Sequence, residues 1–328
     1  MGDDFTPDQT KPPFVSSEVE TPLTVSRLRA KGTKFIPSIS RGSTRTDGWG
    51  PWIGRTERRT DRVDAGLITR WLATLDREPL PGQAVPQGLH WCLCLPDAPT
   101  AQLGADGHPQ RDQSANSFLP PVPLPRRMWA SSKLEFLQPL HLGAEIERNS
   151  TLSGVTEKHG ETGPLVFVTI THDMLADGVL AVREEQTVVY RDAAPAGAPT
   201  VPPPLGGARF DATAWPIHRV IMPDEALLFR YSALTFNSHR IHYDRPYATQ
   251  EEGYRGLVVQ GPLTATLLLD LAQRELGDNA LKTFAFRGLS PAICGDALHL
   301  VMRTGAEAID LAAYAADGRQ VMAAKATA

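Results

Sequence analysis

An eight-residue pattern occurs twice in this chain, and no other feature restricts its architecture as much. PLHLGAEI at 139–146 and PAICGDAL at 291–298 each set a proline four residues before a glycine. Each then places a small and an acidic residue ahead of an aliphatic one that enters an apolar run. Short echoes arise by chance, but these two fall at the same point of two successive helix-then-strand series, which implies a duplicated unit.

In the first series Asp64 can cap a helix whose Leu67, Ile68, Trp71, Leu72 and Leu75 follow a helical period. An irregular Gly/Pro/polar region over about 95–125 follows. Alternating runs at 131–137, 144–152, 164–174 and 183–191, parted by glycine-bearing links, predict an antiparallel meander. In the second series LLFRYSALTF (227–236) reads as a strand. After Gly261-Pro262 a helix is expected with Leu263, Leu267, Leu268 and Leu271 on one face and Gly277 as its stop. Strands around 283–289, 297–304, 309–316 and 320–326 complete it. The expected fold class is α+β, with antiparallel sheet wrapped on a helix. The plan is an extension over 1–50, one unit over 51–191, a Pro/Ala/Gly linker over 192–207 and a second unit over 208–328.

Bulk properties remove several functions. A formal net charge of -4 and the lack of a basic tract interleaved with aromatics argue against nucleic acid as a partner. No apolar run reaches membrane-spanning length, and the most apolar segment, LTATLLLDLA, carries Asp270. Three cysteines make no disulfide framework. Cys92 and Cys94, in WCLC, would share a strand face, Cys294 stands alone, and a reducing cytoplasm fits.

The chemistry concentrates in YSALTFNSHRIHYD (231–244), an amide, two histidines and a carboxylate in fourteen residues. His242 is of the one side-chain type that titrates unaided near neutrality. Asn237 can donate and accept hydrogen bonds but cannot take a proton. The backbone N–H of Gly261, at a helix start, can stabilise an oxyanion. Plainer readings stand beside these: His242 bonded to a loop carbonyl, Asp244 as a helix cap, and His239, His242 and Asp244 as metal ligands.

YSALTFNSHRIHYDRPYA followed by GLVVQGPLTATLL resembles the MaoC-like hydratase family of the hot-dog fold. That family's pattern is Tyr/Phe, then Ser-Gly-Asp-x-Asn-Pro-Ile-His-x-Asp, with His-Gly entering a central helix. Tyr231, Ile241, His242, Asp244 and Gly261 fall on their counterparts without a gap. The family's catalytic Asp falls at Asn237, its Asn at His239, its Pro at Arg240 and its helix-entry His at Gln260. RRMWASSKLEF, GPLVFVTITHDM and EEQTVVYRD in the first half are similar to the branch of type 2 hydroxyacyl-thioester dehydratases and mesaconyl- and itaconyl-CoA hydratases.

The resemblance implies a double hot-dog, each sheet wrapped around a central helix. It implies a hydro-lyase adding water to an enoyl-CoA, with mesaconyl- or itaconyl-CoA among the candidates. His242, Asn237 and Gly261 are then catalytic. Arg240, His239, Tyr231, Arg245 and Gln260 are substrate-binding, with Arg240 the candidate cation for a distal carboxylate. Arg126 and Arg127 are further candidates for CoA phosphates. Neither metal nor cofactor is expected; the partner is an acyl-CoA or acyl-carrier-protein thioester, the assembly a homodimer, and no membrane is involved. The alternatives are a dehydratase of fatty-acid synthesis and a catalytically silent acyl-thioester-binding subunit. Residues 1–89 contain no histidine, so the first half lacks a counterpart of His242 near its own first helix.

Overall fold

The computed structural model describes residues 48–79, 84–160, 163–192 and 209–328. The extension expected over 1–50 and the linker over 192–207 lie, apart from their edges, outside the described residues.

Among the described residues ten strands form one antiparallel sheet. They are β1 (Thr56–Arg62), β2 (Arg126–Phe136), β3 (Glu145–Gly160), β4 (Gly163–Ala176) and β5 (Val179–Arg191), then β6 (Ile217–Ile221), β7 (Thr283–Gly288), β8 (Leu298–Thr304), β9 (Ile309–Ala315) and β10 (Gln320–Thr327). The order β1-β3-β4-β5-β2-β7-β10-β9-β8-β6 visits each group of five by the same path, and β2 pairs with β7 where the halves meet. The repeated octapeptides do the same job twice. Gly143 and Gly295 both take positive φ, 85° and 86°, so each can turn into the next strand where other residues would be strained. Each also donates its N–H back to the end of the first strand of its half, to Val63 O and Pro223 O.

Among the described residues three α-helices serve this sheet: α1 (Ala65–Thr74), α2 (Glu225–Leu234) and α3 (Gly261–Leu276). The strand expected at 227–236 is α2. Its aromatic and Thr residues favour strands, but Asp224 accepts from the Leu227 N–H at 2.8 Å and so starts a helix. Leu228, Tyr231, Ser232 and Leu234 are then buried along one side. The strand reading of WCLC is also overturned, because Leu89–Cys92 is a 3-10 turn. Strands β1 and β6, not anticipated, lie at the two sheet edges; TERRTDR in β1 is a charged sequence that suits an unpaired edge.

The central helix belongs to the second half. Leu263, Leu267, Leu268, Leu269 and Leu271 of α3 are buried against Leu298, Leu300, Leu311 and Phe284 of that half's strands. Each such side chain contributes roughly 1.5–3 kcal/mol. At the corresponding place in the first half, among the described residues, there is no long helix. Pro86, Gly88 (φ 101°) and the Leu89–Cys92 turn stand there, and Pro96 and Pro99 prevent a helix from continuing. Segment 88–93 and α1 instead cover α3: a Cβ on Gly88 would lie 3.2 Å from Leu269 Cδ1 and 3.3 Å from Trp71. Within α3, Asp270 is 3% exposed and holds Arg77, Arg219 and Arg274 at 3.1, 2.7 and 2.8 Å. That accounts for an acid inside the most apolar segment.

Candidate active site

A cavity of 690 Å³ takes the space that a long helix would fill in the first half, and both halves line it. The second half contributes Tyr231, Asn237, Gln260 and Pro262; the first contributes a loop through His108 and the inner faces of β3, β4 and β5. This volume suits a small organic ligand.

His242 sits in a 3-10 turn (Arg240–His242) and is 7% exposed. Its Nδ1 lies 2.7 Å from the Val258 carbonyl. A carbonyl can only accept, so Nδ1 carries the hydrogen and Nε2 of the neutral ring keeps its lone pair. Burial pushes its pKa down to about 4, with the Val258 bond opposing and His108 adding to the fall. His242 is therefore a neutral acceptor at physiological pH.

Asn237 follows α2, just after Phe236, whose φ of 47° is left-handed. That turn brings the Asn237 N–H onto Ser232 O at 2.8 Å. Its Oδ1 accepts from the His239 N–H at 3.0 Å. Gln260 is 1% exposed; its Nε2 donates to Leu228 O and Ser232 Oγ, both at 2.9 Å, leaving Oε1 without a partner. Gly261 starts α3 between Gln260 and Pro262, both of which line the cavity, and a Cβ there would meet nothing within 4 Å. Buried Tyr231 places its hydroxyl 3.2 Å from Thr266 Oγ1, and burial raises its pKa well above the usual range.

The arginines divide differently from expectation. Arg240 is committed elsewhere: its guanidinium pairs with Asp244 at 2.7 Å, donates to Ala105 O at 3.0 Å and stacks over the Tyr247 ring at 4.1 Å. A distal carboxylate would have to compete with these local partners for Arg240. Asp244 also accepts from the Tyr247 N–H at 3.1 Å, which makes it a cap and takes it out of any ligand set with His242. Arg245 pairs with Glu225 at the surface and Arg126 with Glu252, whereas Arg127 does line the cavity.

Two groups escaped the sequence reading. The first is Asp106 and His108, in the stretch set aside as irregular. His108 Nδ1 is 3.0 Å from Asp106 Oδ2, and its ring lies against His239, with centroids 4.0 Å apart. His239 in turn meets His242 edge-on at 5.3 Å, and burial, then His108 and His242, push its pKa down to about 2. The second is a polar band on the inner face of the first half's sheet. Ser150 (β3), His172 (β4) and Glu184 (β5) are cross-strand neighbours, with Arg148 one inward position along β3. Burial raises the Glu184 pKa to about 7 against bonds from Ser132 and Trp91. Arg148 has a buried side-chain Nε without a hydrogen-bond partner, and its opposing charges, Glu57 and Glu184, act on it through space. Polar residues at inward positions of otherwise apolar strands were the signal for this band.

The duplicated antiparallel sheet, with a cavity lined by both halves, is of double hot-dog build, and the relatives of the chain make it a thioester hydro-lyase. A family model described as "Hydroxyacyl-thioester dehydratase type 2" matches residues 88–294, and the chain belongs to that family. It is 42% identical over 282 residues to "Mesaconyl-C(4)-CoA hydratase" of Chloroflexus aurantiacus, covering 84% of this chain and 96% of that one. Among solved structures, a "MaoC-like dehydratase" superposes with a TM-score of 0.60 at 15% identity, covering 84% of this chain and 97% of the other. A Mycobacterium tuberculosis protein described as having a double hotdog fold superposes at 0.53 and 14% identity, covering 84% and 95%. Among the described residues no helix is long and apolar enough to cross a membrane.

Proposed function

We propose that this hydro-lyase reversibly hydrates a short, branched enoyl-CoA carrying a distal carboxylate, of the mesaconyl or itaconyl type. Water attacks the β-carbon while His242 Nε2 takes one of its protons. The electron pair of the double bond moves toward the thioester, where the Gly261 N–H stabilises the enolate oxygen, and His242 returns the proton to the α-carbon. One imidazole can serve both transfers if addition is syn. Asn237 orients the water through its Nδ2–H, since its Oδ1 is engaged by His239. The free Oε1 of Gln260 accepts an N–H from the thioester's arm.

Arg148 is the observation that carries the acyl assignment. It lines the cavity with a buried Nε that no group bonds, and Glu57 and Glu184 act on its charge only through space, so part of its hydrogen-bonding capacity is unmet. A carboxylate on the acyl group meets that capacity. Three free, buried cysteines support a reducing compartment, and we take the protein to be a cytoplasmic homodimer.

The family's printed description favours a second reading, 3-hydroxyacyl-thioester dehydration with an uncharged chain. Loss of enoyl-thioester absorbance with mesaconyl-, itaconyl-, crotonyl- and long-chain enoyl-CoA separates the two. We expect the highest kcat/KM on a dicarboxylic substrate. Preference for long uncharged chains favours the second reading, and no turnover of any thioester leaves a silent binding subunit.

A further inference from the structure

A water activated by His242 has two O–H bonds, and His242 Nε2 accepts only one of them. The family pattern would offer a carboxylate for the other, but here Asn237 stands in its place with its Oδ1 already used. The loop through residues 104–108 of the first half brings a replacement.

That loop is stitched to the motif by direct bonds. Ser238 Oγ donates to Gly107 O at 2.6 Å, the Arg240 N–H donates to Asp106 O at 2.9 Å, and the Arg240 guanidinium donates to Ala105 O. The approach is closer than any side chain would permit: a Cβ on Gly107, whose φ is 85°, would lie 1.9 Å from Ser238 O. The residue after this glycine is His108. It lines the same cavity as Asn237, and its ring lies tilted against that of His239, which stands edge-on to His242. Asp106 fixes its orientation twice, accepting from the His108 backbone N–H and lying 3.0 Å from Nδ1. Burial raises the Asp106 pKa, but the His108 bonds outweigh it and hold the carboxyl ionised, well below the usual range. An ionised carboxylate only accepts, so a hydrogen sits on Nδ1, and in the tautomer with a single ring hydrogen Nε2 is the acceptor.

We propose that His108 is a further catalytic residue, which holds the second hydrogen of the attacking water, and that Asp106 is its positioning residue. The task of the missing carboxylate is thereby carried across from the other half of the molecule. This inference rests on the hydratase reading above.

The test uses the full-length protein and the substrate it hydrates best. His108→Leu lowers kcat by about a hundredfold or more with little change in KM, the range for a lost acid–base or water-holding group. His108→Gln, which keeps an acceptor, loses much less. Added imidazole restores turnover to His108→Gly, a recovery that a structural role would not give. Asp106→Asn also lowers kcat, because an amide can donate to Nδ1 and place the hydrogen on Nε2. Near-native kcat in His108→Leu would overturn the inference while leaving the hydratase reading intact. So would equal losses in the Leu and Gln variants with no imidazole rescue, or inactivation by a chelator reversed by zinc. If the native protein hydrates no enoyl-CoA at all, it is the hydratase reading that fails.

Discussion

VDAGLITRWLATLDR (63–77) and PDEALLFRYSALTFN (223–237) describe one structural object used in two ways. Asp64 and Asp224 cap the helices alike, each accepting from a leucine N–H three residues on at 2.8 Å. Trp71 and Tyr231 are buried partners, 6.4 Å apart, where α1 and α2 meet. Asp76 and Phe236 both turn the chain with left-handed φ values of 51° and 47°. The next residue decides what each half does. In the first half it is Arg77, which reaches Asp270 of α3. In the second it is Asn237, which faces the cavity. The same geometry supplies a structural strut on one side and a cavity-lining position, which we propose to be catalytic, on the other.

The sheets diverge in the same way. In the second half the inner face is apolar and covered by α3. In the first half the chain forms 3-10 turns where that helix would be, and the inner face carries His172, Glu184 and Arg148 into the cavity. The absence of a second long helix among the described residues leaves a cavity lined by polar groups.

The strut is where the largest effect is expected. Asp270→Ala leaves three arginines without their buried carboxylate and should lower unfolding free energy by about 3–5 kcal/mol, read from urea titration. A loss below about 1 kcal/mol, the level of an exposed ion pair, would remove Arg77 from its structural role and weaken the contrast with Asn237. At residue 237, the proposed catalytic position, the effect is smaller. Asn237→Leu should reduce kcat by about ten- to a hundredfold, because it cannot orient water, while Asn237→Asp stays active. Identical rates for Leu and Asp would show that residue 237 holds no water and that the two halves are alike there.

Much of the fold was legible because period-two alternation in the eight interior strands is strong and the octapeptides mark the duplication. The edge strands were not, since TERRTDR has no apolar face to reveal it. Helix α2 was misread because Phe229, Tyr231 and Thr235 favour strands, whereas the Asp224 cap decided the matter. In the site, His242, Asn237 and Gly261 form a local motif and could be read directly. His108 could not, because its relation to His242 arises only when Gly107 lets two distant segments touch. The pairing of Arg240 was legible but was not read: Asp244 four residues on is a helical-spacing partner, and the two pair.

The division of labour between the halves is the central claim, and steady-state kinetics of His242→Ala and Arg148→Met with mesaconyl- and crotonyl-CoA test it most directly. His242→Ala should lower kcat about a hundred- to ten-thousandfold on both substrates with little change in melting temperature. Arg148→Met should raise KM for the dicarboxylic substrate about tenfold or more, a loss of roughly 1.4 kcal/mol, and raise it far less for crotonyl-CoA. Near-normal turnover without His242, or an Arg148 effect equal on charged and uncharged acyl groups, would contradict the account.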